Sequence, residues 1–163
     1  MTPTLSRKWK KSNSIWLIDG YNLLHSLKSR KPPAISGRGE LLLRLGSYAA
    51  AVSQAVFVVF DGVGDEKEFA SHRSRYFHAF YSQGDSADTV IERYAMEHKK
   101  RKGLRVVTDD AALSGMARGT GACVVGTDEF LRSLKGVKRE GRDFLFNQGV
   151  RSHGFHRPFE GKL

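Results

Sequence analysis

Cysteine occurs once in the 163 residues, at Cys123, so no disulfide can form within the chain and no thiolate-rich zinc site can be built. Cys123 lies in the apolar run Ala122 to Val125 and reads as a reduced core residue. Long apolar runs are also missing: none approaches the roughly 18 residues that a membrane span needs. The basic N-terminus lacks a signal-peptide core, because the run Ile15 to Ile18 is short and leads into Asp19. These absences point to a cytoplasmic protein with no membrane partner. Acidic residues are the scarcer charge, 17 against 27 Lys and Arg, and the formal net charge of +10 favours a polyanionic partner, nucleic acid before membrane. A merely soluble basic protein would show the same balance. Neither an internal repeat nor a low-complexity segment is present.

What is there begins at Ser14 to Leu24. Ile15, Trp16, Leu17 and Ile18 suit a central strand of a parallel sheet buried on both faces, and the run stops at Asp19. Gly20 is expected to permit a tight turn, Asn22 adds a second oxygen-bearing side chain, and Leu23, Leu24 and Leu27 resume at helical spacing. A carboxylate in that position lies at the mouth of an α/β sheet, where such folds place ligands, although Asp also serves there as a plain helix cap.

The same arrangement recurs. An amphipathic helix over Glu40 to Val52 leads to the apolar run Ala55 to Phe60, which ends in Asp61 and Gly62. Gly64 to Arg75 lacks periodicity and reads as a mobile flap near the site, and Tyr76 to Tyr81 as a third strand. A helix from Asp85, its expected N-cap, to about Lys102 carries Asp88 on the shoulder of its apolar face. Leu104 to Thr108 is a fourth strand, followed at once by Asp109 and Asp110. A short helix over Ala111 to Ala117, a fifth strand over Ala122 to Val125 and a last helix over Thr127 to Leu134, capped by Thr127 or Asp128, complete the pattern. The expected organisation is a basic arm over 1–13, one α/β domain over 14–135 and a basic extension over 136–163 with room for a hairpin through Phe144 to Phe146.

Three strand ends and one helix start thus deliver Asp19, Asp61, Asp88 and Asp110 to one crevice. Carboxylates crowded together repel one another when ionised, so the group calls for a hard cation, Mg²⁺ or Mn²⁺. The six histidines are scattered, and the pair His153 and His156 lacks partners for a metal site. In a basic protein such a metal suggests phosphodiester hydrolysis by an activated water. Cations for the nucleic-acid backbone are sought in Lys8, Lys10, Lys11, Lys28, Arg30, Lys31, Arg38 and Arg73, and Trp9 is a candidate for stacking on a base.

At Leu17 to Leu24 (Leu-Ile-Asp-Gly-Tyr-Asn-Leu-Leu), Val58 to Asp61, Ser86 to Glu92 and Val106 to Asp110, the chain resembles the YacP-like NYN-domain family, a branch of the PIN-like nucleases. The resemblance runs from about Ile15 to Leu134. It implies a PIN-like three-layer α/β/α fold with a mostly parallel central sheet and Mg²⁺- or Mn²⁺-dependent endoribonuclease activity. It also implies that Asp19 and Asp88 are the principal metal ligands, Asp61 and Asp110 supporting ones, and Asn22 a residue that orients a ligand or phosphate. Relatives often have Thr-Ser-Asp where this chain has Thr108, Asp109 and Asp110, which leaves open which of the two acids faces the metal. The expected partner is RNA, messenger or ribosome-associated. The rival readings are a non-catalytic RNA-binding or ribosome-associated module and a nuclease acting on DNA.

Overall fold

The computed structural model describes residues 14–98 and 103–137. The run Ile15–Asp19 forms β1, and Ala55–Phe60, Phe77–Tyr81, Leu104–Val107 and Cys123–Val125 form β2 to β5. All pairings are parallel, in the order β3-β2-β1-β4-β5, with β1 in the middle. Continuous apolar sequence in β1 and β2 is explained by this: both faces are covered, and every residue of β2 is buried. The chain runs outward from β1 through β2 to β3, then returns to the other side of β1 as β4. Strand order therefore reverses between β1 and β4, and the crevice at their carboxyl ends is the switch point where such sheets bind ligands.

Strand alternation divides the core into two layers. Trp16, Ile18, Val58, Phe60 and Val107 pack with Leu23 and Leu27 of α1 (Gly20–Lys28), Leu41 and Leu45 of α2 (Arg38–Val52), and Phe130 of α5, which occupies residues 127 to 137. Ile15, Leu17, Phe57, Val59 and Val106 pack on the opposite face with Val90, Ile91 and Tyr94 of α3 (Ala87–Glu97) and Leu113 and Ala117 of α4 (Ala111–Gly119). The result is a three-layer α/β/α domain with an all-parallel sheet. No helix among the described residues is long and apolar enough to cross a membrane.

Several local expectations change. Residues 64–75 are not a loose flap: Glu66–His72 form a 3-10 helix pinned by the buried side chain of Phe69. The N-cap of α3 is Ser86, whose hydroxyl accepts the Thr89 N–H, while Asp85 pairs with Arg93 at 2.8 Å. That helix stops at Glu97, short of Lys102, and residues 99–102 lie outside the described ones. Cys123 is exposed rather than in the core, because β5 is a three-residue edge strand and buries only its last side chain, Val125. Gly20 is not a turn residue. Helix α1 begins on it, and the Phe60 ring lies so close to its backbone that a Cβ would fall 2.5 Å from the ring. The left-handed glycine of these turns is Gly62, at φ 126°.

Candidate active site

Each acid reaches the carboxyl edge through a local device. Asp19 is the last residue of β1 and the N-cap of α1, its Oδ1 accepting the Asn22 N–H at 3.2 Å. Asp61 follows β2 and accepts a hydrogen bond from the Ser82 hydroxyl at 3.3 Å. Asp88 stands in the first turn of α3. Asp110 caps α4 by accepting the Leu113 N–H at 2.8 Å.

Two of the four, Asp19 and Asp88, are shifted by burial and by the charges of their neighbours. Asp19 has its pKa raised to about 6, chiefly by burial, against the lowering effect of the Asn22 N–H and with further upward pushes from the charges of Asp88 and Asp61. Asp88 is also raised, first by burial, then by the charges of Asp110, Asp61 and Glu92. The contact between Asp19 and Asp88 raises the former and lowers the latter, so Asp19 is the member of the pair that takes up a proton first as pH falls through about 6. Asn22, whose N–H meets Asp19, has a buried side-chain oxygen without a hydrogen-bond partner.

Asp109 belongs elsewhere. Its carboxylate accepts the Thr127 N–H at 2.9 Å and the Thr127 hydroxyl, so it caps α5 from a neighbouring strand end, a role expected of Thr127 or Asp128. Thr127 is buried and also bonds Ser26 of α1 at 2.8 Å.

The donor set of the mouth is all oxygen: two carboxylates that feel one another's charge, and an amide oxygen lacking a partner. That suits a hard divalent ion, which keeps much of its water and takes as few as one or two protein carboxylates. Among the described residues no three His, Cys, Asp or Glu side chains close on a single point, and the charges of Asp61 and Asp110 are felt at Asp19 and Asp88.

Of the candidate cations, Arg38 is brought to this edge, against Phe60 and Tyr81 at the ends of β2 and β3. Lys28 and Lys31 are exposed, and Arg30 is ion-paired to Asp128. Arg73 precedes β3, at the amino end of the strands, and bonds His78. Lys8, Lys10, Lys11, Trp9, Phe144, Phe146, His153 and His156 lie outside the described residues. Sequence reasoning missed Ser82, only 1% exposed, whose hydroxyl accepts the Gly62 N–H at 2.9 Å and so ties the end of β3 to the Asp61 turn. The signal available was a polar residue directly after an apolar strand, in step with the acids that end β1 and β2.

A parallel α/β sheet with acids gathered at its switch point defines a class of fold and site. The match to the YacP-like NYN domain covers residues 16–155, and the chain belongs to that family, a branch of the PIN-like nucleases. Two crystal structures of Rae1 (YacP) from Bacillus subtilis share the fold. One aligns with a TM-score of 0.69 at 20% identity, covering 91% of this chain and 89% of that one. The other, of a W164L mutant, aligns with a TM-score of 0.63 at 22% identity and the same coverage. No curated protein sequence matches the chain.

Proposed function

We propose that the chain is a Mg²⁺- or Mn²⁺-dependent endoribonuclease that hydrolyses RNA phosphodiester bonds. The observation that carries this is the Asp19 and Asp88 pair at the switch point, two carboxylates whose crowding and burial favour a bound cation or a proton over two bare charges. Asp19 and Asp88 would hold the ion, with the Asn22 oxygen turned to a ligand or phosphate. Asp61 and Asp110 add negative charge that favours the bound cation over the proton. When bound, the metal supplies a water of lowered pKa and neutralises charge on the scissile phosphate. The chain's own part is to keep the pair fixed, through the α1 cap at Asp19 and the first turn of α3 at Asp88. The proposed setting is the cytoplasm, with messenger or ribosome-associated RNA as substrate.

A non-catalytic RNA-binding or ribosome-associated module is the second reading, favoured by the absence of three converging ligands among the described residues. Incubating the purified protein with labelled RNA and DNA in Mg²⁺, Mn²⁺ or chelator separates the two. Metal-dependent scission of RNA is the expected result. Binding without scission in any metal would favour the module, and equal scission of DNA would remove the RNA restriction.

A further inference from the structure

Tyr21 stands out among the aromatic residues. It lies two positions after Asp19, in the first turn of α1, yet its side chain is 40% exposed. One edge of the ring rests on Phe60, with centroids 5.0 Å apart and planes at 67°. Phe60 is itself fully buried and stacked at 12° on Phe69. Tyr21 is thus braced from beneath, with a ring still open to solvent at the rim of the acid crevice.

Beside it, Arg38 is held from several sides. Its guanidinium lies 5.7 Å from the Phe60 ring centroid and 5.5 Å from that of Phe69, donates to the Tyr81 hydroxyl at 2.8 Å, and reaches the Tyr21 hydroxyl. Glu68 does not neutralise it fully: the Tyr81 hydroxyl donates to Glu68 at 2.6 Å, and the Glu68 to Arg38 separation is 3.5 Å, longer than a close charge-assisted bond. The Arg38 side chain keeps 37% of its surface, and a guanidinium carries more N–H donors than Tyr81 and Glu68 engage, which suits it to an incoming oxyanion.

A braced, exposed ring beside a fixed guanidinium, next to a cluster built for phosphodiester chemistry, is the pairing that single-stranded nucleic acid uses: bases stack on aromatic faces while cations track the backbone. We propose that Tyr21 is the stacking platform for an unpaired nucleobase adjoining the scissile phosphate, with Arg38 gripping the phosphate on that side. This rests on the nuclease reading above and narrows it to single-stranded substrates, since a base within a duplex has no free face to offer.

The test is a binding measurement on the full chain in chelator, so that cleavage does not intervene. A set of single-stranded RNAs of one sequence carries the fluorescent base 2-aminopurine, walked along the strand, whose emission falls on stacking. Wild type is expected to quench the probe at a defined position. Tyr21→Leu, which keeps apolar contact with Phe60, should lose the quench and bind roughly 5- to 150-fold more weakly, whereas Tyr21→Phe should recover most of both. The proposal is overturned if wild type quenches no probe, if Tyr21→Leu quenches and binds like wild type, or if Tyr21→Phe is as weak as Tyr21→Leu, which would make the hydroxyl's hold on Arg38 the whole effect. Cleavage in Mn²⁺ is scored separately. A wild type that stacks the probe but cuts nothing refutes the nuclease reading and leaves the platform standing. One that cuts RNA with a KM untouched by Tyr21→Leu does the reverse.

Discussion

The two faces of the sheet use the acids at their common edge differently. On the α3 and α4 face, Asp19 and Asp88 are pushed toward a bound proton or cation by burial and by the charges of Asp61 and Asp110. On the α1, α2 and α5 face, Asp109 is consumed by Thr127 and holds a helix in place, and the charge at the ends of β2 and β3 is the cation Arg38. Strand alternation accounts for the split. Asp19 and Asp61 share parity with Leu17 and Val59, whose side chains meet α3, and Asp110 shares it with Val106. Asp109 shares parity with Val107, on the other face. A carboxylate's use at this edge is therefore set by which face its strand position selects, not by its being acidic.

The sharpest way to break that contrast is to remove one member of the coupled pair. Asp19→Asn and Asp88→Asn are each expected to lower metal-dependent RNA cleavage by at least about a hundredfold, because the amide keeps the shape but not the charge that holds the ion. Circular dichroism should show both variants folded. Cleavage at the wild-type rate by either, with contaminating nuclease excluded, would mean the acids of this face are not the site.

The two faces can next be set against each other at adjacent residues. Asp110→Asn should lose most activity, roughly tenfold or more, with little change in melting temperature, since Asn caps α4 nearly as well as Asp. Asp109→Ser should do the reverse, keeping most activity while losing about 1 kcal/mol of stability with the cap on α5. Turnover across a Mg²⁺ titration, alongside thermal melts, reads both. An inactive Asp109→Ser with an active Asp110→Asn would invert the assignment of the faces.

Much of this was legible in the sequence. Apolar runs ending in acid located β1, β2 and β4 and their shared edge, because strands buried on both faces leave a plain signal. The choice between Asp109 and Asp110 was not, since parity helps only once it is known which helices cover which face. Tertiary packing decided the remaining misreadings. Phe69 anchors residues that look like loop, Phe60 explains Gly20 through close approach instead of backbone freedom, and the edge position of β5 exposes Cys123. Ser82 acquires meaning only when β3 is seen paired to β2.

The raised pKa of Asp19 gives a smaller effect that is independent of catalysis. Its folded-state value of about 6 exceeds the ordinary 3.8, so between those pH values the native state binds more protons than the unfolded chain. In chelator, stability contributed by this group therefore falls as pH rises through that window, and the full penalty stands above about pH 6. Asp19→Asn should melt higher than wild type at pH 7.5, by about 1 to 2 kcal/mol once solvent screening is allowed for, with the difference gone below pH 4. Saturating Mg²⁺ should stabilise wild type and not the variant. A gap that is the same at both pH values would show that folding does not raise the Asp19 pKa.

The smallest expected effect tests how rigidly the acid face must be built. Ser82 joins the ends of β2 and β3 by accepting the Gly62 N–H and donating to Asp61. In Ser82→Ala the N–H of Gly62, a residue already held at φ 126°, loses its acceptor, and Asp61 is freed to rotate. The lost bond should cost about 1 kcal/mol of stability. Activity should respond less, because Asp61 acts on Asp19 and Asp88 through its charge, and that influence survives a change of rotamer better than a metal bond would. Cleavage within about threefold of wild type, with a slightly higher Mg²⁺ requirement, is the expected outcome. If Ser82→Ala instead falls as far as Asp61→Asn does, then Asp61 must be aimed and not merely present, and it belongs among the direct ligands beside Asp19 and Asp88.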